Sequence, residues 1–274
     1  MKIGTIVGTP DLQAPTLGVV QGPDLDKSLR TAAEWGFEGA ELMLKNPALL
    51  DSREIRRLLD RYELGLVGLC SGHMWGEDRL GLVGPHPEVC RQAMQRLKAM
   101  VDLAAEFGPG TMLNIGRSRG RADEADLDGS WRRTVAALRE LADYALPQGV
   151  RLVLEPINHY EANMILTTQD GMQMCRDVDR PNLGLILDVY HMNIEDVNVY
   201  DSLREAKQYL WHVHFSDNNR KWPGNAHLDF PGVIATLREL GYAGYVSAEI
   251  LPWPDPETAG RSTIEYLRQY IPRT

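Results

Sequence analysis

Cysteine is scarce in this chain, with three residues among 274: Cys70, Cys90 and Cys175. Their odd number and wide spacing exclude a paired-cysteine metal motif and a disulfide framework, and suit buried, reduced thiols in a cytoplasmic protein. Positive charge is short as well. The 29 Lys and Arg residues face 38 Asp and Glu, for a net charge of −9, which opposes long-range attraction to nucleic acid or to an anionic membrane. No apolar run approaches the ~18–20 residues of a membrane span, and the opening MKIGTIVGTPD carries no signal-peptide core with a cleavage site. Low-complexity tracts, interdomain linkers and long charge runs are also missing. What remains is a globular chain expected in the cytoplasm, acting on a small molecule, with no nucleic-acid or membrane partner.

What is present is alternation. Strand-like apolar runs lie at 3–7, 39–44, 66–70 and 111–115, and four more read RLVLE (151–155), LGLILD (183–188), WHVH (211–214) and YVSAE (245–249). Helical periods separate them. The clearest covers 89–107, where Val89, Ala93, Leu97, Met100, Ala104 and Phe107 recur at three- and four-residue steps. Another runs through Trp131, Val135, Leu138, Ala142 and Ala145, with shorter ones at 55–62, 233–240 and 264–267. Such alternation predicts parallel strands joined by right-handed crossovers. Eight strands, in a chain near the ~250 residues typical of the fold, predict one (β/α)8 barrel forming a single α/β domain over residues 1–274. The polar, arginine-rich stretch 116–129 (GRSRGRADEADLDG) follows the fourth strand and is expected to be a substrate loop or lid.

Glu155, Asp188, His214 and Glu249 each close one of the last four strand-like runs, at separations of 33, 26 and 35 residues, about one strand–helix unit apiece. In a parallel barrel the strand ends open on one mouth, so the four side chains are expected to meet there. Taken singly, a carboxylate at a strand end often caps the next helix, and a lone histidine is commonly satisfied within a core. Four ligand-type side chains at four consecutive strand ends point instead to a divalent cation, because three carboxylates crowded together repel without one. Carboxylate oxygens with one imidazole suit Mn²⁺, with Mg²⁺ or Co²⁺ as alternatives, and the chain lacks the short Cys/His spacing of structural zinc. Glu155 and Glu249, from the fifth and eighth strands, would flank a bound substrate. Exchanging a carbon-bound proton between them, from one face to the other, inverts that carbon. The expected reaction is epimerisation next to a ketone.

The stretches LEPINHYEANMILTTQDG (154–171), LGLILDVYHMNIED (183–196), WHVHFSDNNRKWPGNAHLDF (211–230) and GYAGYVSAEI (241–250) resemble the xylose-isomerase-like barrel family, and within it the ketose 3-epimerases. The resemblance implies a sugar substrate, Glu155 and Glu249 as a metal-bound acid/base pair, and Asp188 and His214 completing the coordination. It also implies His191 and Arg220 at the carbonyl side of the substrate, Glu161 hydrogen-bonding near the carbonyl end, and a homodimer or homotetramer as the usual assembly. The segment IGRSRGR (115–121) further resembles the 5-keto-L-gluconate epimerases, which act on ketouronic acids. On that resemblance Arg119 or Arg121 would clamp a substrate carboxylate bidentately, and Arg117 receives no role.

The chain departs from the family pattern at two places. His159 stands where relatives often carry arginine, and PGNAHLDF lacks the second glycine of P-G-x-G-H, so His227 is read either as a substrate contact or as a loop partner. Trp75, Trp222 and Trp253 would stack on a sugar face or pack a lid, and the role of His73 stays open. His86 is placed at the surface, and His212 is expected to point away from the mouth. A sugar-phosphate 3-epimerase, an aldose–ketose isomerase and an inosose-dehydratase type of lyase remain as alternatives on the same ligands. A non-catalytic sugar-binding barrel is disfavoured by the complete glutamate pair. An apurinic endonuclease would need further histidines on the third and fourth strands and a basic surface, which the sequence lacks.

Overall fold

The computed structural model describes residues 1–273. Eight parallel strands close into one barrel in chain order: β1 (Lys2–Gly8), β2 (Gly39–Met43), β3 (Gly65–Cys70), β4 (Met112–Ile115), β5 (Arg151–Leu154), β6 (Leu183–Asp188), β7 (Leu210–Phe215) and β8 (Tyr245–Ala248). β1 closes on β8, with Lys2 opposite Tyr245 and Thr5 opposite Ala248. The crossovers carry α1 (Leu25–Trp35), α2 (Ser52–Arg61), α3 (Gly72–Gly76), α4 (Pro87–Glu106), α5 (Leu127–Ala145), α6 (Thr168–Val178), α7 (Val189–Glu195), α8 (Val199–Glu205), α9 (Phe230–Glu239) and α10 (Pro256–Leu267). The expected (β/α)8 barrel is the observed fold. Among the described residues no helix is long and apolar enough to cross a membrane.

Local chemistry sets the helix boundaries. α4 opens on Pro87, whose fixed φ suits a first helical position and whose missing N–H costs nothing there. Its periodic residues Ala93, Leu97, Met100 and Ala104 are fully buried. Asp126 caps α5 by accepting from Gly129 N, and Thr167 with Asp170 forms a reciprocal capping box on α6.

The main apolar core lies between the outer strand faces and the helices, and a smaller cluster of Ile6, Met43 and Cys70 lies in the barrel interior. β7 shows the division within one strand. Val213 and Phe215 belong to the outer core, whereas His212 and His214 both reach Glu41 of β2 across the interior. Residues two apart share a face of a strand. His212 therefore does not turn away from His214, contrary to the expectation; it lies one layer deeper on the same inward face.

The stretch after β4 is also more constrained than a lid. Residues Arg117–Arg119 form a single 3-10 turn, Gly120 bridges Val83, and Leu82 N and Val83 N donate to the carbonyls of Ser118 and Arg119. The loop is pinned to its neighbour after β3. For the helical layer, Leu97→Ala removes a fully buried side chain and should cost about 2–5 kcal/mol in urea unfolding, with turnover of the folded fraction unchanged.

Candidate active site

Strand register brings the four expected ligands together. Asp188, the last residue of β6, lies opposite His214, and His214 lies opposite Ser247 of β8. Glu155 and Glu249 directly follow β5 and β8. One ligand atom of each of Glu155, Asp188, His214 and Glu249 lies within 4.8 Å of the others. His214 Nδ1 is 3.3 Å from Glu155 Oε1 and 3.1 Å from Glu249 Oε2. Gly116 makes room for the cluster, since a Cβ there would come within 2.7 Å of Glu155 Oε2. Asp188 also accepts from Tyr190 N at 2.9 Å, so it caps α7 while its other oxygen faces the cluster.

Arg220 offsets part of this negative charge. Its Nη1 donates to Asp188 Oδ2, and its Nη2 donates to Glu249 Oε2 at 2.7 Å. The residue sits at φ 61°, a conformation that is strained for a side-chain-bearing residue and persists only when its surroundings hold it. Asp217 supplies that support. It is fully buried and accepts the backbone N–H groups of Asn218, Gly224, Ala226 and Leu228, while its carbonyl accepts Arg220 N.

Burial pushes Asp188 up to about 7 against the pull of Arg220. Burial would raise Glu249 too, but Arg220 and His214 outweigh it and hold the carboxyl at about 2. Burial likewise opposes charge on His214, yet Glu41 and Glu249 outweigh it and hold the imidazole well above its ordinary value. Glu155 Oε1 is buried without a hydrogen-bond partner, a costly state for a carboxylate oxygen. The residues fit a divalent cation: the orphaned oxygen, the surplus of carboxylate and the oxygen-rich donor set all match a hard or borderline ion.

Over the cluster opens a cavity of about 230 Å³, whose wall includes Glu155, Glu249, His191, Arg220, Glu161, His73 and Arg117. Asn158 sets the state of His191. Its Oδ1 accepts from Tyr160 N, so its amide nitrogen must face the imidazole, 2.7 Å from Nδ1. Donation to Nδ1 leaves the His191 proton on Nε2, and burial holds this residue well below its ordinary pKa, hence neutral. The same Asn158 nitrogen reaches Glu161 Oε1 at 3.4 Å.

A family model described as a xylose isomerase-like TIM barrel matches residues 29–270. The chain belongs to the xylose isomerase-like TIM barrel family. It is 28% identical over 264 residues to an L-ribulose 3-epimerase of Methylomonas sp. (strain DH-1), covering 89% of this chain and 90% of the relative. It is 29% identical over 255 residues to a 3-dehydro-D-guloside 4-epimerase of Escherichia coli K12, covering 88% and 93%. The crystal structure of a 3-keto-D-glucoside 4-epimerase from E. coli superimposes with a TM-score of 0.83 at 28% identity, covering 98% of this chain and 99% of the other. All three are sugar epimerases, which groups the chain with carbohydrate epimerases and isomerases.

The loop after β4 does not form the clamp expected of Arg119 or Arg121. Arg119 is 1% exposed, and its guanidinium donates to four carbonyls, those of Gly116, Glu155, Met164 and Ile165. No edge is left for a substrate carboxylate, so Arg119 is a brace for the backbone around Glu155. One of its acceptors, Ile165, is itself held at φ 58°, where a β-branched residue is strained. Burial lowers the Arg119 pKa to about 10, which keeps it cationic at neutral pH. Arg121 is exposed, donates to the Glu161 carbonyl and lines a separate apolar cleft beside Trp75. Arg117, which received no role, is the arginine of this loop on the cavity wall, exposed, its guanidinium without a hydrogen-bond or ion-pair partner among the described residues.

His227 meets Asn218 in an exposed loop and lies outside the cavity wall. His159 pairs with Glu195, and Trp222 stacks on Trp253 with centroids 6.1 Å apart; none of these lines the cavity. His73 does, hydrogen-bonded to Glu77 at 3.1 Å. Sequence reading missed Asn158, Asn114 and Glu41. Asn114 donates to Glu155 Oε2 at 3.4 Å. The available signal for Glu41 was its place inside the apolar run GAELML, since a charge within a buried strand demands partners.

Glu77 fastens the loop after β1 over the cavity, accepting from Gln13 N, Ala14 N and Lys45 Nζ. Burial would raise its pKa, but Lys45 and the two backbone N–H groups outweigh it and hold it at about 2 against an ordinary 4.5. A depressed folded pKa means the stabilisation is complete above about pH 4.5 and is lost as pH falls toward 2. Melting temperature followed over that window should therefore fall less steeply for Glu77→Gln than for the wild type. Arg119→Met should cost about 3 kcal/mol in denaturant unfolding, because four buried carbonyls lose their donor. Arg121→Ala should stay within about 0.5 kcal/mol.

Proposed function

We propose that this chain is a divalent-metal-dependent epimerase that inverts the carbon adjacent to the ketone of a free ketose or keto-sugar acid. The observation that carries the reading is the placement of Glu155 and Glu249, from strands three apart in the barrel, on the wall of one cavity and around one imidazole nitrogen. Glu155, Asp188, His214 and Glu249 are the residues that would hold the ion, with Mn²⁺ our assignment. When bound it would supply Lewis-acid polarisation of the ketone and offset the carboxylate charge.

The chain's own groups do the rest. One glutamate takes the proton from the carbon next to the ketone, and the other returns a proton to the opposite face, so the configuration inverts with no net change in atoms. His191, neutral with its proton on Nε2, donates a hydrogen bond to a substrate oxygen. Arg220 donates to both Asp188 and Glu249, offsets their charge and forms part of the cavity wall. Glu161 accepts from a substrate hydroxyl. We assign it to the cytoplasm, a reducing setting that suits its three free cysteines, Cys70, Cys90 and Cys175.

Arg117 favours the keto-acid form of the substrate. A guanidinium on a cavity wall with no protein partner suits a carboxylate bidentately. It takes the place first given to Arg119 and Arg121.

The reading is tested by incubating the Mn²⁺-supplemented enzyme in D₂O with 5-keto-L-gluconate, D-tagaturonate, D-fructose, D-tagatose and two ketose phosphates, and following deuterium by NMR. Deuterium should enter next to the ketone, and Glu155→Gln and Glu249→Gln should each lower kcat by at least ~10²-fold. Near-normal turnover in both variants would discard the two-glutamate mechanism. Arg117→Ala should raise KM for the keto-acids by about tenfold, the equivalent of ~1.4 kcal/mol, and leave neutral ketoses unchanged.

A further inference from the structure

Beneath the metal-type cluster lies a second polar group that the mechanism does not use. Glu41 of β2 is 1% exposed in the barrel interior, and its Oε2 is 3.0 Å from His214 Nε2 and 3.0 Å from His212 Nε2. The two imidazoles stand nearly perpendicular, 87° between planes, so both present a ring N–H edge to one oxygen. A carboxylate oxygen only accepts when ionised. His214 therefore carries a proton on Nε2, and Nδ1, which faces Glu155 and Glu249, is the nitrogen that can give up its proton to an ion.

We propose that Glu41 is a positioning residue for the metal site: by accepting Nε2–H it fixes the tautomer and ring orientation of His214, so that Nδ1 is the ligand atom. The inference rests on the metal-dependent reading above. It follows from geometry and from a general property of metal-bound histidines, whose second nitrogen is commonly held by a carboxylate that orients the ring and raises its basicity. His212 completes the device from below. Its own N–H on the same oxygen satisfies a second lone-pair direction and keeps the carboxylate from swinging toward the cavity. Without the two imidazoles Glu41 would be a buried, unpaired charge, a state that the interior penalises heavily.

Glu41, His212 and His214 also lie close enough to hold an ion of their own. The two 3.0 Å contacts are also those of N–H···O hydrogen bonds, so hydrogen bonding alone accounts for them. A second ion would further require His214 to give up both ring protons.

The test uses the full chain stripped of metal and titrated calorimetrically with Mn²⁺, beside thermal unfolding of the same metal-free samples. Glu41→Gln keeps the side-chain shape but loses the charge and one acceptor position. It should bind one Mn²⁺ about 10–100-fold more weakly than the wild type while melting cooperatively. Unchanged affinity in a folded Glu41→Gln protein overturns the proposal. A second measurement needs no variant: long-range ¹H–¹⁵N NMR of the imidazoles in the Mg²⁺-loaded wild type should show His214 protonated at Nε2, and protonation at Nδ1 overturns the proposal even where Glu41→Gln fails to fold. Two ions per chain in the wild type, one of them lost in Glu41→Gln, would overturn it in favour of a separate site. A wild type that binds no divalent ion overturns the metal-dependent reading along with it. Normal Mn²⁺ binding with no deuterium exchange in any sugar leaves the positioning of His214 intact and discards only the epimerase reading.

Discussion

The concentration of buried negative charge around His214 is the constraint on which the rest of the site depends. Glu155 and Glu249 meet its Nδ1 with Asp188 in the same cluster, and Glu41 meets its Nε2. In a low-dielectric interior such a group of carboxylates stays ionised only with counter-charge close by. Arg220 supplies one positive charge, and the loop held by Asp217 keeps it in place despite a strained backbone. The donor set that is left is one a divalent cation fits. Charge balance, more than hydrophobic packing, explains why these polar groups tolerate burial.

The barrel makes the arrangement possible by separating two environments along each strand. Outward residues such as Val213 and Phe215 build the apolar layer under the helices, and that layer carries the stability of the fold. Inward residues are free to be polar in layers. His212 and Glu41 form the lower layer, and His214 joins it to the reacting layer at the mouth. A histidine anchored from beneath is rigid at the point where its other nitrogen is used, and rigidity there is what a proton-transfer site needs.

Loops then divide their work between support and contact. Three arginines within five residues after β4 have three fates. Arg119 sinks beneath the backbone and braces Glu155, Arg121 leaves for the outer surface, and Arg117 faces the cavity. Similarly, Glu77 ties the loop after β1 to those after β2 and β3, and Asn158 sets the tautomer of His191. The groups that touch substrate are few, and most of the surrounding polar residues hold them still.

The sequence by itself determined the barrel and the four metal-type residues. Alternating strand and helix periods leave little choice of architecture, and in a parallel barrel every strand end opens on the same mouth, so Glu155, Asp188, His214 and Glu249 could be brought together from their positions alone. His191 and Arg220 followed from the motifs around them. Tertiary structure alone decided which loop arginine reaches the cavity, because a 3-10 turn and one positive-φ glycine set each side chain's direction and neither is visible in the string RSRGR. It also decided the fate of His227, which loop geometry carries away from the cavity. Glu41 was hidden for a different reason. Its two partners lie 171 and 173 residues away, and only closure of the barrel across its interior brings a lone acidic residue in β2 against the histidines of β7.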